Sequence, residues 1–436
     1  MSADQLTRRD FVKVAALGIG GTSTSSQDIN SRTTFFLQSG LQRAGEPFDV
    51  ERARRDTPGT RQVVHLNNAG ASLMPRPVLD AVRGHFNLEA EIGAMEAAEV
   101  HATELKRTYD AVARLVGCGS DEIALVENAT RGWDMAFYSL RFKPGDRILT
   151  SRSEYGSNYI AYLQVAQRTG AVVEVLPSDE HGQVSIEALR AALRRGRVGL
   201  VGLTHIAANE GLVNPVDEVG RLTQEAGVPF LLNACQAAGQ WPLDVRRIGC
   251  DMLSVTGRKF LRGPRGTGFL YVRRSLIQKL EPPLLDLQAA GLTARDRYEI
   301  EPTALRFENW ERNVAGLIGL GAAVEYALAW GVDAIQQRVT TLAERLRASL
   351  AAIPGVTVRD RGQAKCGIVT FTVAGRNPVD VQKALRVQRL HVSTLGRRST
   401  PLEERDLDLV VRSSVHYFNT EQELQQLVDA VQQLVR

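Results

Sequence analysis

Short apolar runs alternate with helix-like segments from about residue 63 onward, and this alternation limits the possible folds more than any other feature of the chain. Residues 200–203 and 230–232 are continuously apolar, which is typical of strands covered on both faces of a sheet. Strands separated by helices favour an α/β fold with a mostly parallel sheet, because parallel neighbours need a crossover connection. The predicted strands are 123–127, 147–151, 172–176, 199–205, 229–234, 251–255 and 268–272.

The pattern changes after about residue 310, where a long helical stretch at 314–353 is broken near Gly331. Shorter strands and helices follow it, so the chain is predicted to end in a smaller α+β domain. The glycines of GLIGLG at 316–321 lie within a helical period and predict close helix packing. The predicted regions are a signal or disordered tail at 1–30, an N-terminal arm at 31–62, a large domain at 63–310 and a small domain at 311–436.

Composition excludes several classes of function. The formal net charge of +4 is small for 436 residues and is spread along the chain, so no nucleic-acid partner is predicted. No run of about 20 apolar residues is present, and no membrane span is predicted. The four cysteines are widely separated and form no cluster with histidines, which argues against a zinc site and against a disulfide framework.

The N-terminus contains adjacent arginines, Arg8 and Arg9, before a short apolar stretch at 14–21. This arrangement is similar to a twin-arginine export signal, a route for proteins that fold around a cofactor before export. A disordered tail is the alternative. The protein is predicted to be periplasmic or exported under the first interpretation and cytoplasmic under the second.

Lys259 lies where a predicted strand, 251–255, meets a glycine-rich loop with the sequence LRGPRGTG at 261–268. This layout presents a single amine at the mouth of a sheet. Such an amine can condense with an aldehyde to form a Schiff base. A surface lysine after a strand is the alternative interpretation.

Polar residues follow the ends of other predicted strands, where open α/β sheets bind their ligands. NATRG at 128–132 opens a helix whose N–H groups can hold a phosphate, although an ordinary capped helix has the same pattern. Tyr155 either stacks on an aromatic ring or packs in the core, and His205 is either a ligand contact or a buried structural histidine. NACQ at 233–236 ends the strand that precedes the lysine segment.

Taken in order, these motifs resemble the class V aminotransferase family, whose members use pyridoxal 5'-phosphate (PLP). The family includes cysteine desulfurases, isopenicillin N epimerase-like proteins and the C–S lyases of ergothioneine synthesis. The resemblance covers about residues 62–435 and includes RFENWE at 306–311 and RSSVHYFN at 412–419. It implies the PLP-dependent transferase fold of type I, a homodimer and an amino-acid-like substrate.

The resemblance also implies a role for each matching position. Lys259 would form the Schiff base and later move the Cα proton, with no metal involved. The main-chain N–H of Ala129 and the side chains of Thr130, Thr256 and Arg258 would hold the phosphate. The cofactor-binding residues it implies are Ala129, Thr130, Tyr155, His205, Asn233, Gln236, Thr256, Arg258 and Lys259.

Among these, Tyr155 would stack on the pyridine ring and Gln236 would bond to its hydroxyl. Arg412 would pair with the substrate carboxylate, because a guanidinium matches a carboxylate plane with two hydrogen bonds. Asn68, Asn209 and Trp310 are the further substrate-binding candidates, and Trp310 is expected near a partner subunit.

The chain departs from the family at two positions. Asn233 stands where an acidic residue usually keeps the ring nitrogen protonated, so transamination should suffer more than elimination. Ser399, in LGRRSTP at 395–401, stands where desulfurases carry a nucleophilic cysteine, and persulfide chemistry needs a thiolate. A desulfurase is therefore not expected.

The predicted function is that of a PLP-dependent enzyme acting on an amino acid, with C–S/β-lyase or epimerase-like chemistry favoured. The alternatives are an aminotransferase of class V, an exported tailoring enzyme of secondary metabolism and a non-catalytic PLP-fold binding protein. Asn233 favours the last of these, whereas Lys259 and Arg412 oppose it. The sequence does not identify the substrate.

Overall fold

The computed structural model describes residues 48–402, 405 and 408–435. The Arg8-Arg9 tract and the predicted tail at 1–30 lie outside the described residues, as does much of the predicted arm. The predicted domain boundaries at residues 62 and 310 remain predictions.

A large sheet of seven strands dominates the described residues. Its order is β2-β8-β7-β6-β5-β3-β4, with β8 antiparallel to its two neighbours and the other pairs parallel. The mostly parallel α/β sheet is therefore confirmed. The strands are β2 (Ile123–Val126), β3 (Arg147–Ser151), β4 (Val172–Leu176), β5 (Val198–Thr204), β6 (Phe230–Asn233), β7 (Met252–Thr256) and β8 (Gly268–Val272).

The central strands are apolar without interruption because each of their faces is covered. Leu231 and Leu232 are fully buried, yet they belong to two different hydrophobic clusters. Successive side chains of a strand point to opposite faces, so one cluster lies above the sheet and the other below it. The helices that precede or connect these strands are α1 (Val50–Arg55), α2 (Arg76–Ile92), α3 (Ala94–Val100), α4 (Ala102–Val116), α5 (Ala129–Phe137), α6 (Gly156–Thr169), α7 (Ile186–Arg194), α8 (Val216–Ala226), α9 (Val245–Ile248) and α10 (Arg274–Ile277).

The predicted glycine-rich helix is α11 (Val314–Trp330), and α12 (Val332–Ala351) follows it after a break at Gly331. A Cβ at Gly321 would lie 2.2 Å from Thr108 Oγ1, and one at Gly319 would lie 2.5 Å from a methyl of Val82. Close packing of α11 against α2 and α4 therefore requires these glycines, as predicted.

The C-terminal part forms an antiparallel sheet in the order β11-β12-β15-β14. Its elements and the remaining short ones are β11 (Val356–Val358), β12 (Ile368–Val373), α13 (Pro378–Val387), β13 (Leu390–His391), β14 (Ser393–Gly396), β15 (Leu409–Ser414), α14 (Glu421–Val435), a hairpin of β9 (Ala290–Ala294) and β10 (Arg297–Ile300), and three 3-10 helices at Pro58–Arg61, Ser120–Glu122 and Ala304–Phe307.

An early segment of the chain is tied to this C-terminal part. Strand β1 (Val64–His65) pairs in parallel with β13. Just beyond it, the main-chain N–H of Ser414 donates to the Leu66 carbonyl at 2.7 Å, and the N–H of Ala69 donates to Ser414 Oγ at 2.9 Å. The end of β15 is thereby fixed against residues 66–69.

No single helix of the described residues has the length and apolar character needed to cross a membrane. Within the described part of the chain, α11 and α12 reach that length and apolarity when taken together, but the chain bends by 79° between them.

Candidate active site

Lys259 follows β7 in a tight turn and faces a cavity of about 170 Å³ at the carboxyl ends of the strands. It is partly accessible through the cavity, although protein atoms surround it. Burial lowers the pKa of Lys259 to about 8, and the positive charges of Arg258 and Arg412 lower it as well. About a tenth of the amine is therefore neutral and nucleophilic at pH 7, far more than for an ordinary lysine.

The cavity lies between the ends of the sheet strands and the starts of α5 and α6. Most of its lining side chains are polar or small. The lining residues are Asn128, Ala129, Thr130, Tyr155, Asn158, Thr204, Ile206, Ala208, Asn233, Cys235, Gln236, Ser254, Thr256, Arg258 and Lys259.

The start of α5 forms one wall. Asn128 caps this helix, because its Oδ1 accepts the main-chain N–H of Arg131 at 3.0 Å. Ala129 and Thr130, the first two residues of the helix, line the cavity. The unpaired main-chain N–H groups at the start of a helix attract anions. Thr256 and Arg258 lie on the same wall, with the Arg258 guanidinium donating to the Gly70 carbonyl.

The end of β6 forms the floor of the cavity. Asn233 Oδ1 accepts the main-chain N–H of Cys235 at 3.0 Å, and Gln236 Nε2 donates to the Ala69 carbonyl at 3.2 Å. Gln236 Oε1 and the Ser254 hydroxyl are buried without a hydrogen-bond partner among the described residues. Buried polar atoms are rarely left unpaired, so these two atoms indicate a polar ligand.

Glu154 is a buried carboxyl group behind the cavity that sequence reasoning missed. It accepts hydrogen bonds from the Tyr155 main chain at 2.7 Å, from Asn158 at 2.9 Å and from Thr204 at 2.5 Å. Burial raises its pKa, while these hydrogen bonds act in the opposite direction. The Glu154 carboxyl group thereby positions three residues that line the cavity. Its position next to Tyr155 is the one sequence signal that could have indicated this role.

Arg412 lies on β15 and is buried close enough to Lys259 to affect its pKa. Its guanidinium donates to the Ala208 carbonyl at 3.0 Å and to Ser393 Oγ at 3.1 Å. Burial, and then the charge of Arg258, lower the pKa of Arg412. No carboxylate of the described residues forms a salt bridge with it, so a substrate carboxylate would supply the missing partner.

The structure brings most of the predicted site residues together, but five of them do not line the cavity, namely Arg412, described above, and four others. His205 is buried, and burial lowers its pKa to about 3, so its ring is neutral. Asn68 is buried, where its Nδ2 donates to the Ser414 carbonyl at 2.7 Å. Asn209 is also buried, whereas 53% of Trp310 is exposed.

The lining residues that were not among the predicted site residues are Asn128, Asn158, Thr204, Ile206, Ala208, Cys235 and Ser254. Cys235 lies next to Lys259, and burial raises the pKa of its thiol. Burial also raises the thiol pKa of Cys366 to about 11 and of Cys118 to about 12. These cysteines are thus protonated thiols rather than thiolates near neutral pH.

The arrangement fits PLP. The phosphate matches the start of α5 and the Arg258 wall, the aldehyde matches the Lys259 amine, and the ring hydroxyl matches the unpaired Gln236 Oε1. A nucleophilic amine near a buried guanidinium that has no carboxylate partner among the described residues suits chemistry on the Cα of an amino acid.

Comparisons with known proteins agree with this description. A family model described as aminotransferase class V matches residues 64–427. A probable cysteine desulfurase of Methanothermobacter thermautotrophicus is 31% identical over 88% of this chain and 98% of its own length. A second, from Pyrococcus abyssi, is 27% identical over 89% of this chain and 98% of its own length.

Solved structures show the same fold. The apo cysteine desulfurase of Thermococcus onnurineus superposes with a TM-score of 0.84 at 26% identity, covering 90% of this chain and 99% of that one. The cystine C–S lyase C-DES, solved with its product cysteine persulfide, gives a TM-score of 0.78 at 23% identity, covering 86% of this chain and 99% of that one.

Proposed function

Because the chain belongs to the class V aminotransferase family and is a PLP-dependent enzyme, we propose that it is a β-lyase that cleaves the C–S bond of a sulfur-containing amino acid. The overall reaction takes up one water and releases a thiol, pyruvate and ammonia. The observation that carries the proposal is the Lys259 amine, which lines a polar cavity and whose pKa is lowered to about 8. Class V aminotransfer and a non-catalytic binding role are not favoured.

When bound, PLP supplies an electron-accepting ring that stabilises negative charge at the substrate Cα. The chain's own residues do the rest. The first turn of α5 with Thr256 and Arg258 would hold the phosphate, and Tyr155 would pack on the ring. Arg412 fixes the substrate carboxylate, which orients the Cα–H bond toward Lys259.

Lys259 removes the Cα proton, because its amine lies in the cavity and is readily neutral. The electron pair of the C–S bond then leaves with sulfur. Ser399 lies near the entrance of α6, where its carbonyl accepts the Gly156 N–H at 2.9 Å. A hydroxyl at this position supports elimination over transfer of sulfur to the protein, since persulfide formation needs a thiolate.

The decisive experiment has two parts. Borohydride reduction of the PLP-loaded protein, followed by peptide mass mapping, should place the cofactor on Lys259 and should leave Lys259→Ala unlabelled. S-substituted cysteines should then yield thiol and pyruvate in equal amounts. Amino-group exchange with a keto acid would instead indicate an aminotransferase, inversion at Cα an epimerase, and a protein-bound persulfide a desulfurase.

We further propose a homodimer. The segment from Leu287 through the β9–β10 hairpin exposes large apolar side chains, with Leu287 and Leu292 each 74% exposed and Tyr298 53% exposed. An apolar surface of this kind is typical of a protein interface. Analytical ultracentrifugation should give twice the chain mass, and Leu292→Glu should shift the protein toward the monomer.

We also propose export, supported by the Arg8-Arg9 tract of the sequence. Changing both arginines to lysine should retain the protein in the cytoplasm of its host. Unchanged fractionation after this change would contradict the proposal.

A further inference from the structure

The side-chain amide of Asn233 can adopt only one orientation. Its Oδ1 accepts the main-chain N–H of Cys235 at 3.0 Å. A main-chain N–H can only donate, so the oxygen and not the nitrogen of the amide must face it. The Nδ2 group therefore points away from Cys235, and no acceptor among the described residues pairs with it.

The chemistry of the cofactor determines which atom meets this donor. In PLP, the hydroxyl and the phosphate-bearing carbon flank the aldehyde carbon, and the ring nitrogen lies opposite the aldehyde. With the aldehyde at Lys259, the phosphate at the start of α5 and the hydroxyl at Gln236, the ring nitrogen faces the rest of the polar floor. Asn233 and Ser254 are paired neighbours on β6 and β7 in that floor.

The charge around the cavity also disfavours protonation of the ring nitrogen. Its charged lining residues are Arg258 and Lys259, and the Arg412 guanidinium lies close by. No carboxylate of the described residues lines the cavity, and Glu154 is buried behind it with its oxygens bonded. Nearby cations disfavour a further positive charge on the ring.

From these observations we infer that Asn233 donates a hydrogen bond from Nδ2 to the pyridine nitrogen of the cofactor and keeps that nitrogen unprotonated. The inference rests on the proposed function and deepens it. A protonated nitrogen would place one N–H against another, whereas an unprotonated one accepts the amide proton. Asn233 is thus a positioning residue that weakens the ring as an electron acceptor.

This assignment restricts the reaction. A ring without a positive charge stabilises negative charge at Cα less well. Reactions in which the negative charge at Cα persists for long are therefore disfavoured. Loss of a thiolate removes the charge as the C–S bond breaks, with the electron pair leaving on sulfur. Asn233 therefore favours elimination of a good leaving group over amino-group exchange.

The experiment uses the full chain loaded with PLP that carries ¹⁵N in its ring. The nitrogen resonance of the wild type should lie in the range of a hydrogen-bonded, unprotonated pyridine at neutral pH. Asn233→Asp places a carboxylate beside the nitrogen, which should raise the pKa of the ring nitrogen by about 1–3. Its resonance should shift toward the pyridinium range.

Two further variants keep the result interpretable. Gln236→Glu adds the same negative charge on the hydroxyl side of the ring, so its nitrogen resonance should stay in the unprotonated range. Asn233→Ala removes the donor and should move the resonance toward that of free pyridine nitrogen, even if Asn233→Asp does not fold.

The outcomes separate this inference from the proposed function. A pyridinium resonance in the wild type would overturn the role of Asn233 while leaving PLP binding intact. Failure to form a borohydride-reducible adduct on Lys259 would overturn the proposed function and this inference together. An equal shift in Gln236→Glu and Asn233→Asp would show a general charge effect and would also overturn the assignment.

Discussion

The two sides of the cavity differ in charge. One side gathers Arg258 and Lys259 with Arg412 close by; burial, and then the charge of Arg258, lower the pKa of Lys259 and of Arg412. The floor offers Asn233, Gln236 and Ser254, which are all uncharged. Under the proposed function, the positive charge lies where the phosphate and the substrate carboxylate would bind, and the ring nitrogen would have no counter-charge.

Removing the amine from the cationic side should have the largest effect. Lys259→Ala deletes the group proposed to hold the cofactor and to move the Cα proton, so kcat should fall by at least about 10³-fold. Pyruvate release from an S-substituted cysteine measures it. Lys279→Ala, at an exposed lysine, is the matched control and should retain full activity.

Replacing the planar guanidinium of Arg412 by the ammonium group of a lysine should have the next largest effect on catalysis. Arg412→Lys keeps the positive charge but loses the paired hydrogen bonds to a carboxylate, so KM should rise about 10- to 100-fold. Steady-state kinetics separates this change from an effect on kcat. A variant with unchanged KM would show that the substrate carboxylate binds elsewhere.

The pH dependence of cofactor capture tests the electrostatic side of the comparison. With a Lys259 pKa of about 8, the neutral amine falls about tenfold for each pH unit below that value and changes little above it. Capture of PLP by the apo protein, followed by absorbance, should show the same profile. Arg258→Gln removes a neighbouring cation and should move the break to higher pH; an unmoved break would contradict this cause.

The smallest effect is expected for Glu154, which is buried behind the cavity. Glu154→Gln keeps the size of the side chain, and hydroxyl partners such as Thr150 can reverse their hydrogen bonds. The free energy of unfolding should fall by only about 1 kcal/mol. Thermal unfolding measures this loss, with the exposed Glu299→Gln as control. Loss of the folded state would show that an ionised Glu154 is required.

Much of the fold could be predicted because its signals are local. The strands at 147–151, 172–176 and 268–272 have the predicted bounds, and the last of them is an uninterrupted apolar run, GFLYV. The β9–β10 hairpin was not predicted, and its exposed strands have no continuous apolar run.

The site was predictable only in part, since order along the chain places residues at strand ends but does not aim their side chains. Lys259 and Gln236 reach the cavity, whereas the side chain of His205 does not line it. The hydrogen bonds of Glu154 join residues of three separate elements, and a sequence contains no signal for such a meeting. The fixed amide of Asn233 depends in the same way on a main-chain N–H two residues later.

The hydrogen bonds of Ser414 to residues 66–69 connect Arg412, the proposed carboxylate-binding residue, with Gln236, a proposed cofactor-binding residue. Ser414 lies two residues from Arg412 on β15, and the Ala69 carbonyl accepts the Gln236 amide at 3.2 Å. If a bound carboxylate moved Arg412 and rotated the C-terminal sheet slightly, the hydrogen bonds of Ser414 to residues 66–69 would transmit that movement to the Gln236 side-chain amide. Under the proposed function, the hydrogen bonds that fix the end of the Arg412 strand and the one that holds Gln236 thus involve the same short segment, residues 66–69.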